Sequence, residues 1–461
     1  MSLPHGLKSL IAPTSVKSHC KMDPSDKLIW DAAYDEEYDG LVSLPTWEVI
    51  SEAQFRQLSK GKKALPTMAI ATIKYDNHNR PKRAKYRIVV LGNQDHHTWS
   101  REDTAAPVLS KLELRLLTTL AVHNKRVLKN CDVKQAFIQS NLPPDEEYFL
   151  HPPSGCQRSK PGQYWRLLRS LYGLKRAPKL WFNMLSDHLK SMGLQCSPTS
   201  PCLFMGTLVE GAPAIYVGIY VDDIICFSTS DAVERKFEEL LSSIGDVDFM
   251  GQVSLFLGIE FSWVYHSDGN LSVHLTQQSF TETLVESLGF NHLEQSTFLT
   301  PYRSHQPVDS IIHESMSSTE CDKLRLEYQS LVGSLNWLAH TTRPDLSTIV
   351  SMLAQHQSNP STGHMESARY AAKYLAHIKH LGIYFTSCQR PIIESFLHFP
   401  LNPSNLLAMS DANWSPQDAT QTKLCSELPL FVSQSMSAYF INLLGPLHWL
   451  SKHQSVCRKF C

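Results

Sequence analysis

The chain has 461 residues, 42% of them hydrophobic and 19% charged, with a formal net charge of −1 at pH 7. That composition excludes a disordered chain, supplies two or three folded domains, and gives no clue to partners from bulk charge. Its eleven cysteines are odd in number and contain no Cys-x-x-Cys pair, which argues against a disulfide framework or zinc ribbon and for a reducing compartment.

Residues 1–44 read as a leader without the apolar core of a signal peptide. Trp30 to Glu37 predicts a short acidic helix before Pro45. From Arg80 to Gly92 the pattern is a strand on which Arg83, Lys85 and Arg87, two apart, share one face. Three aligned cations suit a triphosphate or template clamp, or a charged strand edge that guards against aggregation. Leu112, Leu116 and Leu120 predict an amphipathic helix leading to a strand that carries Asp132. Pro143-Pro144 and Pro152-Pro153 punctuate an irregular connection.

Between Tyr148 and Ser186 there is no acidic residue, whereas Arg158, Lys160, Arg166, Arg169, Lys175, Arg176 and Lys179 are all present. Such a run suits a phosphate backbone or forms a solvated basic face. A helix opening near Pro178 runs through Trp181, Leu185 and Leu189 to Gly193. Ala214 to Phe227 then reads as strand, tight turn, strand, with Asp222-Asp223 inside an otherwise apolar run. Two adjacent carboxylates in apolar surroundings require a cation, unless they form a solvated hairpin tip. Asp132, a third carboxylate in similar surroundings, favours the cation.

Asp231 and Glu234 have the spacing of a capping box opening a helix with Phe237, Leu240, Leu241 and Ile244, closed by Gly245. Residues 45–262 therefore read as one α+β unit. Beyond them the pattern is mostly helical over 263–400: Phe280 to Leu288, Tyr328 to Leu338, and Met365 to His380. Leu406 to Asp411 reads as a buried strand ending in an acid. No membrane span, Walker loop, His-Glu-x-x-His or dinucleotide-binding glycine pattern is present.

These residues carry a resemblance. In order, Arg83 to Gly92, Ala106-Pro107-Val108, Asp132-Val133 with Ala136-Phe137, and Leu171-Tyr172-Gly173-Leu174-Lys175 with Ala177-Pro178 and Trp181 match one family. So do Tyr220-Val221-Asp222-Asp223, Phe256-Leu257-Gly258-Ile259-Glu260, Val332-Gly333-Ser334-Leu335 and Thr342-Arg343-Pro344-Asp345. From about Trp30 onward the chain resembles the reverse transcriptase region of a copia-type LTR retrotransposon Pol polyprotein.

The resemblance implies an α+β right-hand polymerase: fingers and palm over 45–262, a thumb and helical connection over 263–400, and a truncated RNase H-like segment over 401–461. It implies an RNA-directed DNA polymerase in which Asp132, Asp222 and Asp223 gather two magnesium ions, or manganese in their place, with Asp223 the less direct ligand. Lys85 and Arg87, with Arg83 beside them, match residues that grip the incoming triphosphate. Phe137 falls where such enzymes place an aromatic wall against a ribose 2′-hydroxyl; an ordinary core aromatic is the alternative.

Tyr172 and Gly173 match the segment bordering the nucleotide sugar and templating base, and Leu257 and Gly258 the hairpin that holds the primer end. Either glycine also suits a tight turn. The implied partners are an RNA template, a DNA primer, their RNA–DNA hybrid and dNTPs, together with other polyprotein products or a second subunit, and no membrane. The implied location is the cytoplasm, in a virus-like particle, or the nucleus, not the exterior.

Ser410 to Trp414 resembles the first strand of an RNase H domain, but Asp411 lacks the further carboxylates that metal-dependent hydrolysis needs, so no RNase H activity is expected of this chain alone. Protease, integrase and zinc-knuckle motifs are missing, which reads as a processed-like fragment or a decayed reading frame. A catalytically inactive remnant that binds nucleic acid is the alternative function. An RNA-dependent RNA polymerase is disfavoured by Phe137.

Overall fold

A computed structural model describes residues 10–75, 81–155, 158–290, 298, 300–302, 317–387, 407–413, 431–442 and 446–458, the last three stretches by their backbone. The chain divides into two compact units, residues 1–109 with 129–251 and residues 110–128 with 252–461.

The first unit begins with α1 (Val16–Cys20), α2 (Pro24–Ser43), β1 (Trp47–Ser51) and α3 (Glu52–Leu58). A long hairpin of β2 (Leu65–Tyr75) and β3 (Pro81–Val90) follows, then α4 (Arg101–Thr104). After α5 (Lys111–His123), which belongs to the second unit, come β4 (Lys129–Val133), α6 (Ala136–Gln139), β5 (Phe149–His151), β6 (Gln163–Leu167) and α7 (Ala177–Ser191). β7 (Gln195–Ser197), β8 (Ser200–Gly206), β9 (Ile215–Tyr220), β10 (Asp223–Ser228), α8 (Asp231–Leu241) and β11 (Val247–Gln252) close it. Two sheets result, in the orders β1-β6-β5-β2-β3 and β11-β4-β10-β9-β8-β7.

Alternation along β4 and β10 decides what the second sheet can do. Cys131, Val133, Ile224 and Cys226 join Trp181, Leu185 and Leu189 of α7 and Val233, Phe237 and Leu241 of α8 in one buried cluster. Because side chains alternate along a strand, burying that set against the helices sends Asp132 and Asp223 to the opposite face.

The supposed leader is part of the first unit. α2 is a 20-residue helix, far longer than the expected Trp30–Glu37, and its Trp30 and Ala33 pack under Ala84 and Tyr86 of β3. β3 is an edge strand, so its outward N–H groups need acceptors from elsewhere. Ile88 N–H donates to the Glu37 carboxylate at 3.2 Å, and Val90 N–H to the Tyr172 carbonyl at 2.7 Å.

The expected capping box on α8 does not form. Ser230 is the N-cap and makes no side-chain cap bond, while the Glu234 carboxylate is buried, accepting from Ser228 N–H at 3.0 Å and pairing with Lys129 Nζ at 2.8 Å. Tertiary burial has taken Glu234 from the helix terminus. Four of the seven cations of the acid-free stretch are engaged within the first unit, Arg158 on its surface. Arg158 pairs with Asp35 and Asp39, Arg166 with Glu48 and Glu147, and Arg176 with Glu146, while Arg169 donates to the Ile138 and Gln139 carbonyls. The acids that answer it lie outside the stretch in sequence.

In the second unit β12 (Leu255–Phe256), β13 (Ile259–Tyr265), β14 (Leu271–Thr276) and β15 (Ile383–Thr386) form an antiparallel sheet in that order. α9 (Gln278–Ser287), α10 (Ser318–Thr341), α11 (Ser347–Ala354) and α12 (Thr362–His377) supply its helices. Tyr328, Leu331, Val332, Leu335 and Leu338 bury the α10 stripe against Ile349, Leu353, Ala368 and Leu375. The expected boundary at 262 falls within β13, whose pairing with β14 draws the β12–β13 hairpin into this unit. β16 (Leu407–Asn413), β17 (Phe431–Asn442) and β18 (Pro446–Arg458) form a three-stranded antiparallel sheet. Among the described residues no helix is long and apolar enough to cross a membrane.

Candidate active site

β9 and β10 form a hairpin whose two-residue turn is Val221-Asp222, and β10 pairs antiparallel with β4 so that Asp223 lies directly opposite Asp132. Directly opposite residues share a face, so these two acids project together, with Asp222 adjoining in the turn. Val221 sits at φ +57°, a region that a β-branched residue seldom adopts. Two bonds hold the turn there. Trp181 Nε1 donates to the Val221 carbonyl at 2.7 Å, and Val133 N–H to the Asp222 carbonyl at 3.1 Å. Trp181 is thus both a core residue and a clamp on the hairpin; its buried indole N–H, which needs an acceptor, was the signal for that second role.

All three acids are half-buried. Burial, then the Asp222 charge, pushes the Asp132 carboxyl above its ordinary range, while Lys85 and Lys74 pull it back and Asp248 adds to the rise. Burial, then Asp222 and Asp132, pushes Asp223 up to about 7, again against Lys74. Lys74 lies opposite Arg83 in the β2–β3 pairing and was missed by the sequence reading, because only that pairing brings it to the acids. Lys134, directly beyond Val133, pairs with Asp246 and Asp248 at 3.0 Å each.

The three expected strand cations do share the outward face of β3, opposite the buried Ala84, Tyr86, Ile88 and Val90. Arg83 pairs with Glu36 at 3.3 Å on the surface. Lys85 is held below its usual value by burial and by Arg87, with Glu37 opposing. Phe137 packs edge-on against Tyr172, ring centroids 4.9 Å apart. Burial and the Asp222 charge push the Tyr172 phenol up. Hence Asp132, Asp222, Asp223, Lys85, Arg87, Phe137 and Tyr172 are linked within one unit.

Gly173 has a strict backbone reason. At φ +94°, a Cβ there would sit 2.0 Å from the Val90 carbonyl oxygen, so the chain crosses β3 at backbone contact. Leu257 and Gly258 are the two central residues of the β12–β13 turn, at φ +51° and +73°, as a mirror-type hairpin turn requires. They belong to the second unit, as does Asp411, which lies opposite Ala438 in the β16–β17 pairing.

Among the described residues no three His, Cys, Asp or Glu side chains converge as a ready-made metal site. The donor set nonetheless suits a hard divalent cation in kind: three carboxylates, two of them pushed up by burial and by one another.

The profile of a family described as reverse transcriptase (RNA-dependent DNA polymerase) matches residues 46–303, more than half of the chain. The retrovirus-related Pol polyprotein from transposon RE2 of Arabidopsis thaliana is 28% identical over 386 residues, 84% of this chain and 24% of that protein. That from transposon TNT 1-94 of Nicotiana tabacum is 25% identical over 364 residues, 79% of this chain and 26% of the relative. This chain therefore spans about a quarter of the length of such relatives. A foamy viral protease-reverse transcriptase solved with double-stranded DNA overlays with a TM-score of 0.46 at 13% identity, covering 91% of this chain and 55% of that one.

Proposed function

This chain belongs to the reverse transcriptase (RNA-dependent DNA polymerase) family, and from that premise we propose that it extends a DNA primer on an RNA template from dNTPs, in a right-hand polymerase arrangement. The observation that carries the reading is the opposition of Asp132 and Asp223 across β4 and β10, with Asp222 in the adjoining clamped turn. Asp132, Asp222 and Asp223 would hold divalent cations, magnesium first among them. When bound, such ions activate the primer 3′-hydroxyl and neutralise the leaving pyrophosphate.

The chain's own residues then position and select. Lys85 and Arg87 present cations to the triphosphate from a strand face already close enough for Lys85 to act on Asp132. Phe137, held edge-on by Tyr172, stands as the wall against a ribose 2′-hydroxyl. Leu257 and Gly258 offer an exposed turn to the primer end. A copia-type assignment agrees with the plant transposon relatives.

The test is primer extension on poly-rA with oligo-dT, dTTP and Mg²⁺. Template-dependent extension is expected; hybrid binding without extension would favour the inactive, nucleic-acid-binding remnant. In the same assay Phe137→Ala is expected to raise UTP use relative to dTTP by roughly 10- to 100-fold, the range that one steric contact in a pocket commonly provides. Unchanged sugar selectivity would remove Phe137 from the nucleotide site.

A further inference from the structure

Among the described residues of the second unit, one half-buried cation at the start of α5 has no carboxylate partner. Lys111 opens α5, and its Nζ lies 4.1 Å from the centre of the Trp337 ring on α10. One turn further along α5, Arg115 is spent on the end of α10, its Nη2 donating to the His340 and Thr341 carbonyls at 2.7 Å each. A guanidinium there complements the helix C-terminus. Among the described residues Lys111 has no such outlet. Glu113, the nearest carboxylate in sequence, lies two residues on and does not face Lys111, and it serves the N-cap of α5, where it accepts from Ser110 N–H at 2.6 Å. Burial and Arg115 both act against the Lys111 charge, and together push it down to about 8.

Trp337 also fixes where this cation is. A methyl group placed on Gly258 would come within 3.8 Å of Trp337 Cζ2, so the exposed tip of the β12–β13 hairpin borders the same indole. Hairpin tip, indole face and ammonium therefore lie in one neighbourhood of the second unit.

We propose that Lys111, seated on Trp337 beside the Leu257-Gly258 turn, binds a backbone phosphodiester of the nucleic-acid strand that the turn contacts. The inference rests on the primer-extension reading for the strand's identity, and on Lys111, Trp337 and Gly258 for the place. A phosphate supplies the missing anion, and a point-charge ammonium suits one oxygen of a phosphodiester without reading the base. The desolvated ammonium is costly until a strand arrives, so the site favours a polyanion that brings its charge into a half-dry setting.

The experiment measures the affinity of the full chain for a labelled RNA–DNA hybrid over a series of salt concentrations. Each phosphate contact adds about 0.9 to the slope of log K against log salt on duplex DNA. Lys111→Met is expected to reduce the slope by about one contact's worth and to weaken binding equally across hybrid sequences, with Lys111→Arg restoring the slope. Melting of Lys111→Met at pH 7 is expected at or above wild type, because the variant deletes a charge that burial opposes; a residue serving only the fold would lower it.

A wild-type slope in Lys111→Met, with hybrid binding intact, overturns the inference and leaves the polymerase reading standing. A clear loss of melting temperature together with a wild-type slope assigns Lys111 to packing and overturns it as well. Absence of hybrid binding by the wild-type chain overturns both. Calorimetry with inorganic phosphate alone is the last arm. Lys111-dependent uptake of the free ion would replace the strand by a small anion and overturn the assignment.

Discussion

An Asp222→Asn, Asp223→Asn chain is expected to lose at least about a thousandfold of its RNA-templated primer extension, roughly 4 kcal/mol of barrier at 1.36 kcal/mol per decade. The substitution keeps the size of both side chains, removes their charge and replaces one acceptor oxygen of each by an amide donor. The turn itself is held by backbone carbonyls, those of Val221 and Asp222, which accept from Trp181 and Val133. Neither bond involves a carboxylate, so the hairpin should persist.

Stability provides the control. Asp223 has a folded pKa of about 7, raised by burial and then by Asp222 and Asp132. A carboxyl raised above its unfolded value of about 3.9 binds more protons folded than unfolded between those limits. In chelator-containing buffer the wild-type chain therefore loses stability as pH climbs from about 4 to 7, and the penalty is complete above that range. The double asparagine variant should lack this component and melt at or above wild type at pH 8. Lost extension with retained melting places the acids in the chemistry. Full extension by the variant would remove them from it.

Gly173→Ala is the second large effect, and it acts on the fold. A Cβ at Gly173 meets the Val90 carbonyl oxygen at 2.0 Å, and a φ of +94° is strained for any side chain. Backbone strain of about 1–3 kcal/mol and overpacking of a similar size add to roughly 2–6 kcal/mol. Against typical totals of about 5–15 kcal/mol that is a severe loss. The 2.7 Å bond from Val90 N–H to the Tyr172 carbonyl would break with it, releasing Tyr172 from Phe137.

Gly162 offers the matched comparison. It has φ +79° but nothing within 4 Å of a would-be Cβ, so Gly162→Ala reports strain alone. Thermal unfolding of the two variants should separate them by the clash, with Gly173→Ala the lower. Equal melting temperatures would mean that β3 and the Tyr172-Gly173 segment do not cross at backbone contact.

Much of the candidate site was legible in the linear sequence because its signals are local. Residues two apart on a strand share a face, which is enough to align Arg83, Lys85 and Arg87. Adjacent carboxylates in an apolar run mark a hairpin, and ordered motifs point to the family that the match over 46–303 shows. Helices α7 and α10 follow from their apolar stripes for the same reason, whereas α5 buries Leu114, Leu117, Ala121 and Val122 and leaves Leu112 of the expected stripe exposed, and α9 buries Thr281 and Val285 with Phe280 exposed.

What the sequence by itself determined, then, is periodicity, chemistry and kinship. Only the tertiary structure decided which charges remain available. Glu234 satisfies a capping pattern in sequence, yet burial against Lys129 and Ser228 gives it a different partner. The basic run from Arg158 to Arg176 looks like a phosphate track until Asp35, Glu48 and Glu146 close on it from other elements. Lys74 acts on the acids from its position opposite Arg83, and Lys111 rests on the Trp337 indole. The physical reason is common to all four: the neighbours that a charge meets are set by strand pairing and helix packing between residues remote in the chain.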